Sequence, residues 1–513
     1  MPEQLRALVV IMVLAGLTFA FSRAHACAGA MKDEDFVRRR NVWFALTAAV
    51  FLAHNFWIFI VFAAALLIYF ALPGEPNKLA LYFFVLFAVP AIDAEIPGFG
   101  VMEHFFAIDY LRLLALVILL PAWLALRARP ESEPFGRSSA DKLLVVYLAL
   151  QFCLQLPHTT LTEALRRGVF YAFIDVFLPY YVASRAARDT AALREALMAF
   201  VLGALVLAPI ALFEFARHWL LYTPLEDALG VDWGMLNYLE RGDGLLRAQA
   251  STGQPIILGY VLALALCLGL YVRKSMPQTR WRDAGLVLLA AGLVAAMSRG
   301  PWIGAAVMLL AFVATGPQAL RRLGKLGLAG LGVLGILMVS PAGQELVDYL
   351  PFVGTVDAQN VIYRERLLDV SLGVLLEHPF FGAWDFLQLP VMQQLRQGEG
   401  IIDVVNTYLG VALASGFVGL ALFCGFFLAV LYQVSGAMRG AGERDGETYA
   451  LGQALFCALL GILVMIFTTS SVGLIPLVYW SIAGLAQAYA RAAAPARAAE
   501  TEQDGDPGFI AAR

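Results

Sequence analysis

The sequence has little charge for its length of 513 residues. Asp, Glu, Lys and Arg make up 15% of it, and hydrophobic residues make up 60%. A soluble protein of ordinary composition carries about 25% charged residues. Apolar runs long enough to cross a bilayer recur along the chain. The composition excludes a soluble globular protein. It predicts an all-α, polytopic transmembrane helix bundle over 1–490, followed by a disordered cytoplasmic tail, 491–513.

Cysteines and carboxylate clusters are also scarce. The chain has five cysteines and no CxxC pair, which excludes a disulfide framework and a zinc cluster. No loop gathers the carboxylates that a magnesium site needs, so neither a metal nor a cofactor is expected. The run Gly330–Gly335 matches GxGxxG, but it lies inside an apolar segment with no strand before it. It indicates a helix-packing face, so no nucleic acid or nucleotide partner is expected.

Fifteen apolar segments are candidates for about 14 spans. They lie near 5–21, 41–54, 55–72, 78–92, 105–127, 142–157, 168–184, 195–217, 253–273, 284–297, 301–316, 325–340, 406–432, 449–467 and 473–489. As one helix, 41–72 would be too long for the bilayer core, so we predict a hairpin at His54 and Asn55. The hairpin puts the basic loops on one side, which is then cytoplasmic. The N-terminal stretch resembles a signal peptide, but the basic cluster Arg38–Arg40 after it favours an uncleaved first span.

Two long loops fall on the opposite, periplasmic side, at 218–252 and 341–405, and long loops are usually functional. These loops and a tight turn carry arginines that the positive-inside rule disfavours there. Arg247 lies in "LLRAQASTGQPIILGY", at the start of a span, and Arg299 lies in the turn "MSRGPW". Arg364 and Arg366 lie in "VIYRERLLDVSLGVLLEHPFFG". The last stretch predicts an amphipathic helix within the loop. Weaker candidates on this side are Arg166, Arg167, Arg217, Arg241 and Arg396.

These arginines permit two interpretations. They can be interfacial side chains whose charged ends reach the membrane surface. They can also share an anion, because the planar guanidinium suits bidentate phosphate recognition and stays charged. On a face remote from cytoplasmic nucleotides, a lipid-linked pyrophosphate is the natural anion.

The region from Arg247 to Leu420 resembles the superfamily of O-antigen ligases and Wzy-type polysaccharide polymerases. Three stretches carry the resemblance: "SRGPWIGAAVMLL", "YRERLLDVSLGVLLEHPFFGAW" and "VVNTYLGVALASGFVGL". The N-terminal third, with "HNFWIF" and "IPGFGVMEHFF", is similar to exopolysaccharide members. Where the family usually has histidine before the asparagine, this chain has Val405, so the role of that histidine cannot be transferred.

The substitutes considered for that histidine are Asp403, Glu399 and His378, of which Asp403 is preferred. Asp403 can instead cap the following helix, His378 can cap the loop helix, and Asn406 and Thr407 can satisfy a helix end. The candidate catalytic residues are Asp403 and Arg364. The candidate substrate-binding residues are Arg247, Arg299, Arg366, His378, Asn406 and Thr407.

The resemblance implies a metal-independent GT-C-type glycosyltransferase in the bacterial inner membrane, with its active site facing the periplasm. It would transfer glycan from an undecaprenyl-pyrophosphate-linked oligosaccharide to an acceptor hydroxyl. A polymerase, which uses a lipid-linked repeat unit as acceptor, is preferred to a ligase acting on lipid A core or protein. A chain-length regulator and export proteins are candidate partners. The rival function is a flippase or transporter, which predicts charged residues deep in the spans; Asp175 and Glu214 are the main ones here.

Overall fold

The computed structural model describes residues 2–98, 100, 104–130, 132–231, 245–279, 282–339, 358–396, 400–441, 444 and 446–493. Within them the chain is mostly helical. The α-helices are Glu3–Cys27, Asp33–Leu52, Phe56–Leu66, Lys78–Val85, Tyr110–Leu114, Leu120–Arg127, Ser139–Gln155, Leu161–Ala164, Leu178–Ala186, Thr190–Arg217, Leu225–Leu229, Pro255–Val272, Ala284–Ala295, Arg299–Thr315, Ala319–Val339, Ala358–Glu377, Pro390–Gln393, Thr407–Arg439, Glu447–Met465 and Leu474–Ala492. Wider π-helical turns occupy Leu67–Ala71, Ala115–Leu119 and Leu165–Phe177, and 3₁₀ turns occupy Ala250–Thr252, Arg273–Ser275 and Phe386–Gln388.

Six helices in the described part of the chain are long and apolar enough to cross a membrane: Glu3–Cys27, Tyr110–Arg127, Thr190–Arg217, Pro255–Ser275, Thr407–Arg439 and Glu447–Met465. Large apolar side chains also lie on the outside of the bundle. Val61, Phe70 and Tyr432 are 69%, 71% and 73% exposed. Exposed apolar surface of this extent fits contact with lipid and not with water. The helical membrane protein predicted from composition is therefore what the structure supports.

The predicted break at His54 and Asn55 is confirmed. The Asn55 side chain accepts hydrogen bonds from the backbone of Trp57 and Ile58, so it caps the helix that begins at Phe56. The chain then doubles back, because Glu75 at the end of the second arm forms an ion pair with Arg39 near the start of the first, at 2.5 Å. A single helix over 41–72 could not bring these two side chains together.

The prediction of a span over 78–92 is wrong. The helix there, Lys78–Val85, is about 12 Å long at 1.5 Å per residue, less than half of the bilayer core. All of its residues from Leu79 onward are buried. A helix that is apolar all round can be buried by protein as well as by lipid, and its sequence does not distinguish the two.

The all-α prediction also missed a β-hairpin. Strands Asp93–Pro97 and His104–Asp109 pair in antiparallel register, with Asp93 opposite Asp109. The predicted span 105–127 therefore begins as a strand, and its helix starts only at Tyr110. The Asp109 side chain accepts a hydrogen bond from the Arg112 backbone N–H at 2.7 Å and caps this helix.

The long helix Thr407–Arg439 begins at the predicted position and packs against Leu474–Ala492. An aromatic cluster joins the two helices: Phe427 stacks on Trp480 with ring centroids 5.5 Å apart, and Phe426 meets the same ring at 4.9 Å. Trp480 is only 2% exposed. Aromatic pairs of this kind stabilise by about 0.5–1.5 kcal/mol beyond their buried area. They fix the two helices against each other, and the polar residues described next lie at the ends of these helices.

Candidate functional site

A turn of four consecutive hydroxyl residues, Thr468 to Ser471, joins the helices Glu447–Met465 and Leu474–Ala492. We call these residues the polar turn. Gly473, with φ of 54°, allows the chain to reverse before the second helix begins. Thr469 is 2% exposed, so the turn is packed into the end of the bundle. Sequence reasoning missed this turn, because serine and threonine between two helices are ordinary loop composition.

The polar turn binds the first residue of the long helix. The Thr407 hydroxyl donates to the Thr469 carbonyl at 2.7 Å and lies 3.1 Å from the Ser471 hydroxyl. The Thr407 backbone N–H also donates to the Thr469 carbonyl, at 3.1 Å. Thr407 is 3% exposed. Its observed contacts are those of a residue that fixes the helix end.

Asn406 caps the same helix. Its side-chain oxygen accepts hydrogen bonds from the backbone N–H groups of Tyr408 and Leu409 at 3.0 and 3.2 Å. These are the donors that the first turn of a helix leaves without intrahelical partners. The helix-end interpretation of Asn406 is therefore the one that the structure shows. It leaves Asp403, three residues earlier, outside the cap.

Asp403 lies between the polar turn and the helix Ala358–Glu377. The Ser470 hydroxyl donates to Asp403 Oδ1 at 2.5 Å, and the Tyr363 hydroxyl donates to the Asp403 backbone carbonyl at 3.1 Å. Within the described residues, Oδ2 makes no hydrogen bond. Asp403 is half-buried. The cap interpretation of Asp403 is wrong, because Asn406 caps the helix and the Asp403 carboxylate accepts from Ser470 instead.

Arg299 begins the helix Arg299–Thr315 next to the polar turn. Met297 has a φ of 46°, the left-handed conformation that makes the preceding turn tight. A Cβ added to Gly300 would collide with the Thr468 hydroxyl. Glycine at this position therefore allows the Arg299 backbone to approach the polar turn closely. Arg299 itself is half-buried.

Arg247 lies beside the Arg299 turn. The backbone N–H of Ala248 donates to the carbonyl of Ala295 at 3.1 Å, and Ala295 ends the helix that leads into Arg299. Arg247 is half-buried. The sequence places these two arginines 52 positions apart, and the structure brings their backbone segments into contact.

Arg364 and Arg366 lie on the helix Ala358–Glu377, which we call the loop helix. The prediction of a helix inside the 341–405 loop is confirmed for these residues; the segments 340–357 and 397–399, including Glu399, lie outside the described residues. Arg364 shares its face with Leu367 and Ser371, which are 2% and 0% exposed. Arg366 is two positions on, so it is rotated by roughly 200° from Arg364. The two arginines therefore lie on different sides of the loop helix, and both are exposed.

His378 ends the loop helix through its backbone. Its N–H donates to the Val374 carbonyl at 3.1 Å, and its carbonyl accepts from Gly382 N–H at 3.0 Å. The imidazole is exposed. The observed contacts of His378 are those of a helix end, and the structure does not bring its side chain to the polar turn.

A backbone joint connects the loop to the long helix. Gly416 interrupts that helix with φ of 65° and ψ of −168°, a conformation available essentially only to glycine. The freed Phe417 N–H donates to the Pro379 carbonyl at 2.8 Å, and Ala383 N–H donates to the Leu413 carbonyl at 2.8 Å. We call this contact the glycine joint. It holds the loop helix and the head of the long helix as one unit.

The ionisable residues predicted inside the spans have partners. Asp175 pairs with Arg112 at 3.0 Å, and the Arg112 guanidinium lies 4.0 Å from the centre of the Tyr171 ring. Glu214 is 0% exposed and accepts backbone N–H groups from Leu221, Gln249 and Ala250 at 3.0, 2.9 and 2.8 Å. Both acids therefore have structural roles. The transporter hypothesis instead requires charged residues that line a path through the bilayer.

We expect Glu214→Ala to lower the folded yield strongly. The change leaves the N–H groups of Leu221, Gln249 and Ala250 buried without an acceptor, at about 1–3 kcal/mol each. Glu214→Gln keeps one acceptor oxygen and should be intermediate. The measurement is the midpoint of thermal unfolding in detergent. Equal midpoints for the wild type and Glu214→Ala would contradict this role.

Comparison with protein families matches residues 284–424 to the model described as O-antigen ligase. Residues 284–424 are similar to the O-antigen ligase family. A search of curated proteins found no match. The predicted resemblance to the O-antigen ligase and Wzy superfamily is thereby confirmed. The matched residues include Arg299, Arg364, Asp403 and Asn406.

Part of the site lies outside the segment that matches the O-antigen ligase family. Arg247 precedes it, and the polar turn follows it by more than forty residues in the sequence. Both return to it through contacts: Ala248 with Ala295, and Ser470 with Asp403. Elements on either side of the matched segment therefore contact it.

Proposed function

We propose that this chain is a GT-C-type polysaccharide polymerase of the bacterial inner membrane. It transfers glycan from an undecaprenyl-pyrophosphate carrier to a lipid-linked repeat unit at the periplasmic face. The observation that carries the proposal is that the Arg299 turn and Asp403 both contact the polar turn and that the loop helix contacts Asp403, within and around the segment that matches the O-antigen ligase family.

Asp403 is the proposed general base. The acceptor hydroxyl gives its proton to Asp403 Oδ2 while its oxygen attacks the anomeric carbon of the donor glycan. The bond between that carbon and the phosphate oxygen breaks, and the pyrophosphate leaves with the electron pair. The Ser470 hydrogen bond to Oδ1 holds the carboxylate in place. A positioned base contributes about 10²–10⁴-fold to such a reaction.

Arg247, Arg299 and Arg364 are proposed to stabilise the leaving pyrophosphate. Its negative charge grows as the bond to the sugar breaks, so fixed cations stabilise the transition state more than the ground state. Guanidinium groups also match the geometry of phosphate oxygens. The proposed chemistry needs no metal, since the arginines supply the positive charge.

A ligase is the second candidate, favoured by the description of the matched family, O-antigen ligase. The two reactions share the donor and the leaving group and differ in the acceptor. We prefer the polymerase because of the exopolysaccharide-like N-terminal third and because Val405 replaces the usual histidine.

The experiment that separates these functions is deletion in the host, followed by sizing of the glycan on the lipid carrier. A polymerase predicts accumulation of single repeat units on the carrier. Full-length polymer retained on the carrier would identify a ligase. Repeat units trapped on the cytoplasmic side would contradict both and indicate a flippase.

We expect Arg364→Ala to fail to restore polymer in that deletion strain, at a normal protein level. The loss of one transition-state cation typically lowers turnover by about 10²–10³-fold. Arg364→Lys keeps the charge without the planar fork and should restore part of the activity. Arg322→Ala, an exposed arginine on the helix Ala319–Val339, is the control and should restore polymer fully. Full rescue by Arg364→Ala would remove Arg364 from the site.

A further inference from the structure

A cavity of about 660 Å³ lies at the end of the bundle that the positive-inside rule assigns to the cytoplasm. It is formed where four chain segments meet, near Lys32, Lys78, Arg129 and Glu195. The proposed transfer reaction does not use it. Its volume is within the range of about 300–1,000 Å³ that is usual for sites of small ligands.

The floor of the cavity is a buried network of ion pairs. Arg39 is 0% exposed and pairs with Glu75 at 2.5 Å and with Glu195 at 2.8 Å. Arg38 pairs with Glu75 at 2.9 Å and with Asp35 at 2.7 Å. The carboxylates of Asp35, Glu75 and Glu195 all line the cavity, and the two arginines balance two of their three charges.

One nitrogen of this network has no partner among the described residues. Arg39 Nη1 is fully buried and makes no hydrogen bond, although the other terminal nitrogen of the same guanidinium serves two carboxylates. A buried charged donor without an acceptor is costly. Arg39 does not line the cavity, so this nitrogen is a cost within the ion-pair network and not a contact for a ligand.

Three cations on the cavity wall differ from those of the floor. Within the described part of the chain, Lys32, Lys78 and Arg129 form no ion pair, whereas the fourth cation of the wall, Arg194, pairs with Glu447. The fourth carboxylate, Asp189, accepts from the backbone N–H of Ala192 at 2.7 Å. Apart from the Arg194–Glu447 pair, five cations of the floor and wall stand against four carboxylates, so the cavity carries a net charge of +1. Three of those cations are available to a ligand.

Apart from Asn77, the rest of the wall is apolar and made mostly of small side chains. Ala122, Ala125 and Leu126 lie on one helix, and Ala186 lies on another. A ligand with an anionic group and an adjoining apolar part matches both surfaces. Basic pockets between membrane helices on this side are suited to phospholipid headgroups.

We propose that this cavity binds a phosphate group, supplied by the headgroup of an anionic membrane lipid. The phosphate lies between Lys32, Lys78 and Arg129, and the glycerol and acyl chains extend along the alanine-rich wall. Free phosphate from the cytosol shares the same chemistry without the apolar contact. The site is distinct from the glycan-transfer site and does not depend on the proposed reaction.

The test uses the full-length protein in nanodiscs of phosphatidylcholine, with and without phosphatidylglycerol, and in parallel with inorganic phosphate. The readouts are the midpoint of thermal unfolding and retained phosphatidylglycerol by native mass spectrometry. The variant is Lys32→Gln with Lys78→Gln and Arg129→Gln. The control is Lys142→Gln with Lys325→Gln and Arg321→Gln, which removes two lysines and one arginine from exposed positions outside the cavity.

We expect phosphatidylglycerol to stabilise the wild type and the control variant equally. The cavity variant should bind it roughly 100-fold more weakly, because each cation near an anionic surface is worth about 1 kcal/mol, or a factor of about five. Stabilisation by inorganic phosphate alone, lost in the cavity variant, would support the phosphate site but assign it to a soluble ligand. Equal responses of the cavity variant and the control, or no response of the wild type to either probe, would overturn the proposal.

Discussion

Gly416→Ala should abolish both the folded state of the loop region and glycan transfer. Alanine at φ 65° and ψ −168° is strained by about 1–3 kcal/mol, because this region of backbone space is essentially restricted to glycine. Its Cβ would also collide with the Phe380 carbonyl and lie 2.5 Å from Phe381 N. Both of these are backbone atoms, so no side-chain rotation relieves the contact. The joint must open, and the loop helix then loses its fixed position over Asp403.

The matched control for this change is Gly373→Ala on the exposed face of the loop helix. A Cβ at Gly373 has nothing within 4 Å, and the residue is helical. Alanine there should stabilise the helix by up to about 1 kcal/mol. Limited proteolysis of the loop and the amount of folded protein in detergent measure both variants. A Gly416→Ala protein that resists proteolysis like the wild type would contradict the role of the glycine joint.

Asp403→Asn should lower glycan transfer by about 10²–10⁴-fold while the protein folds normally, since that is the usual contribution of a general base. Asparagine keeps an oxygen that accepts the Ser470 hydrogen bond, so the contact with the polar turn survives the change. What is lost is the ability to accept a proton from the acceptor hydroxyl. The measurement is transfer from a purified lipid-pyrophosphate donor.

Two companion variants test whether the loss of transfer is due to the missing base at Asp403. Ser470→Ala removes the group that orients Asp403 and keeps the base, so we expect a smaller loss, about tenfold. Asp385→Asn changes another half-exposed carboxylate of the same loop, which lies 3.6 Å from His158, and should retain full activity. If Asp403→Asn were as active as the wild type, Asp403 would be structural, and the base would have to be sought elsewhere.

The sequence predicted local features well where a short-range physical signal exists. The hairpin at Asn55 follows from the length limit of a bilayer span and from a residue that caps helices. The start of the long helix at Thr407 and the helix in the 341–405 loop follow from apolar periodicity. The buried helix Lys78–Val85 was mistaken for a span, since burial by protein and by lipid select the same side chains.

The basic cluster Arg38–Arg40 combines a charge signal that the sequence shows with a buried ion pair that it does not show. Its charge predicts the cytoplasmic side of the membrane. The structure adds that Arg39 is fully buried against Glu75 and Glu195, which lie 36 and 156 positions further along the chain. Nothing local to the cluster marks one arginine as buried and its neighbour Arg40 as accessible.

The sequence by itself determined the class of protein, the order of most helices and the motifs that resemble the O-antigen ligase family, because composition, periodicity and short motifs are local properties. Only the tertiary structure decided which of these motifs meet. It paired the two glycine-containing stretches around Pro379 and Gly416 and brought Ser470 to Asp403. Those contacts join residues tens of positions apart. They depend on how the helices pack in three dimensions, and no periodicity along the chain encodes that packing.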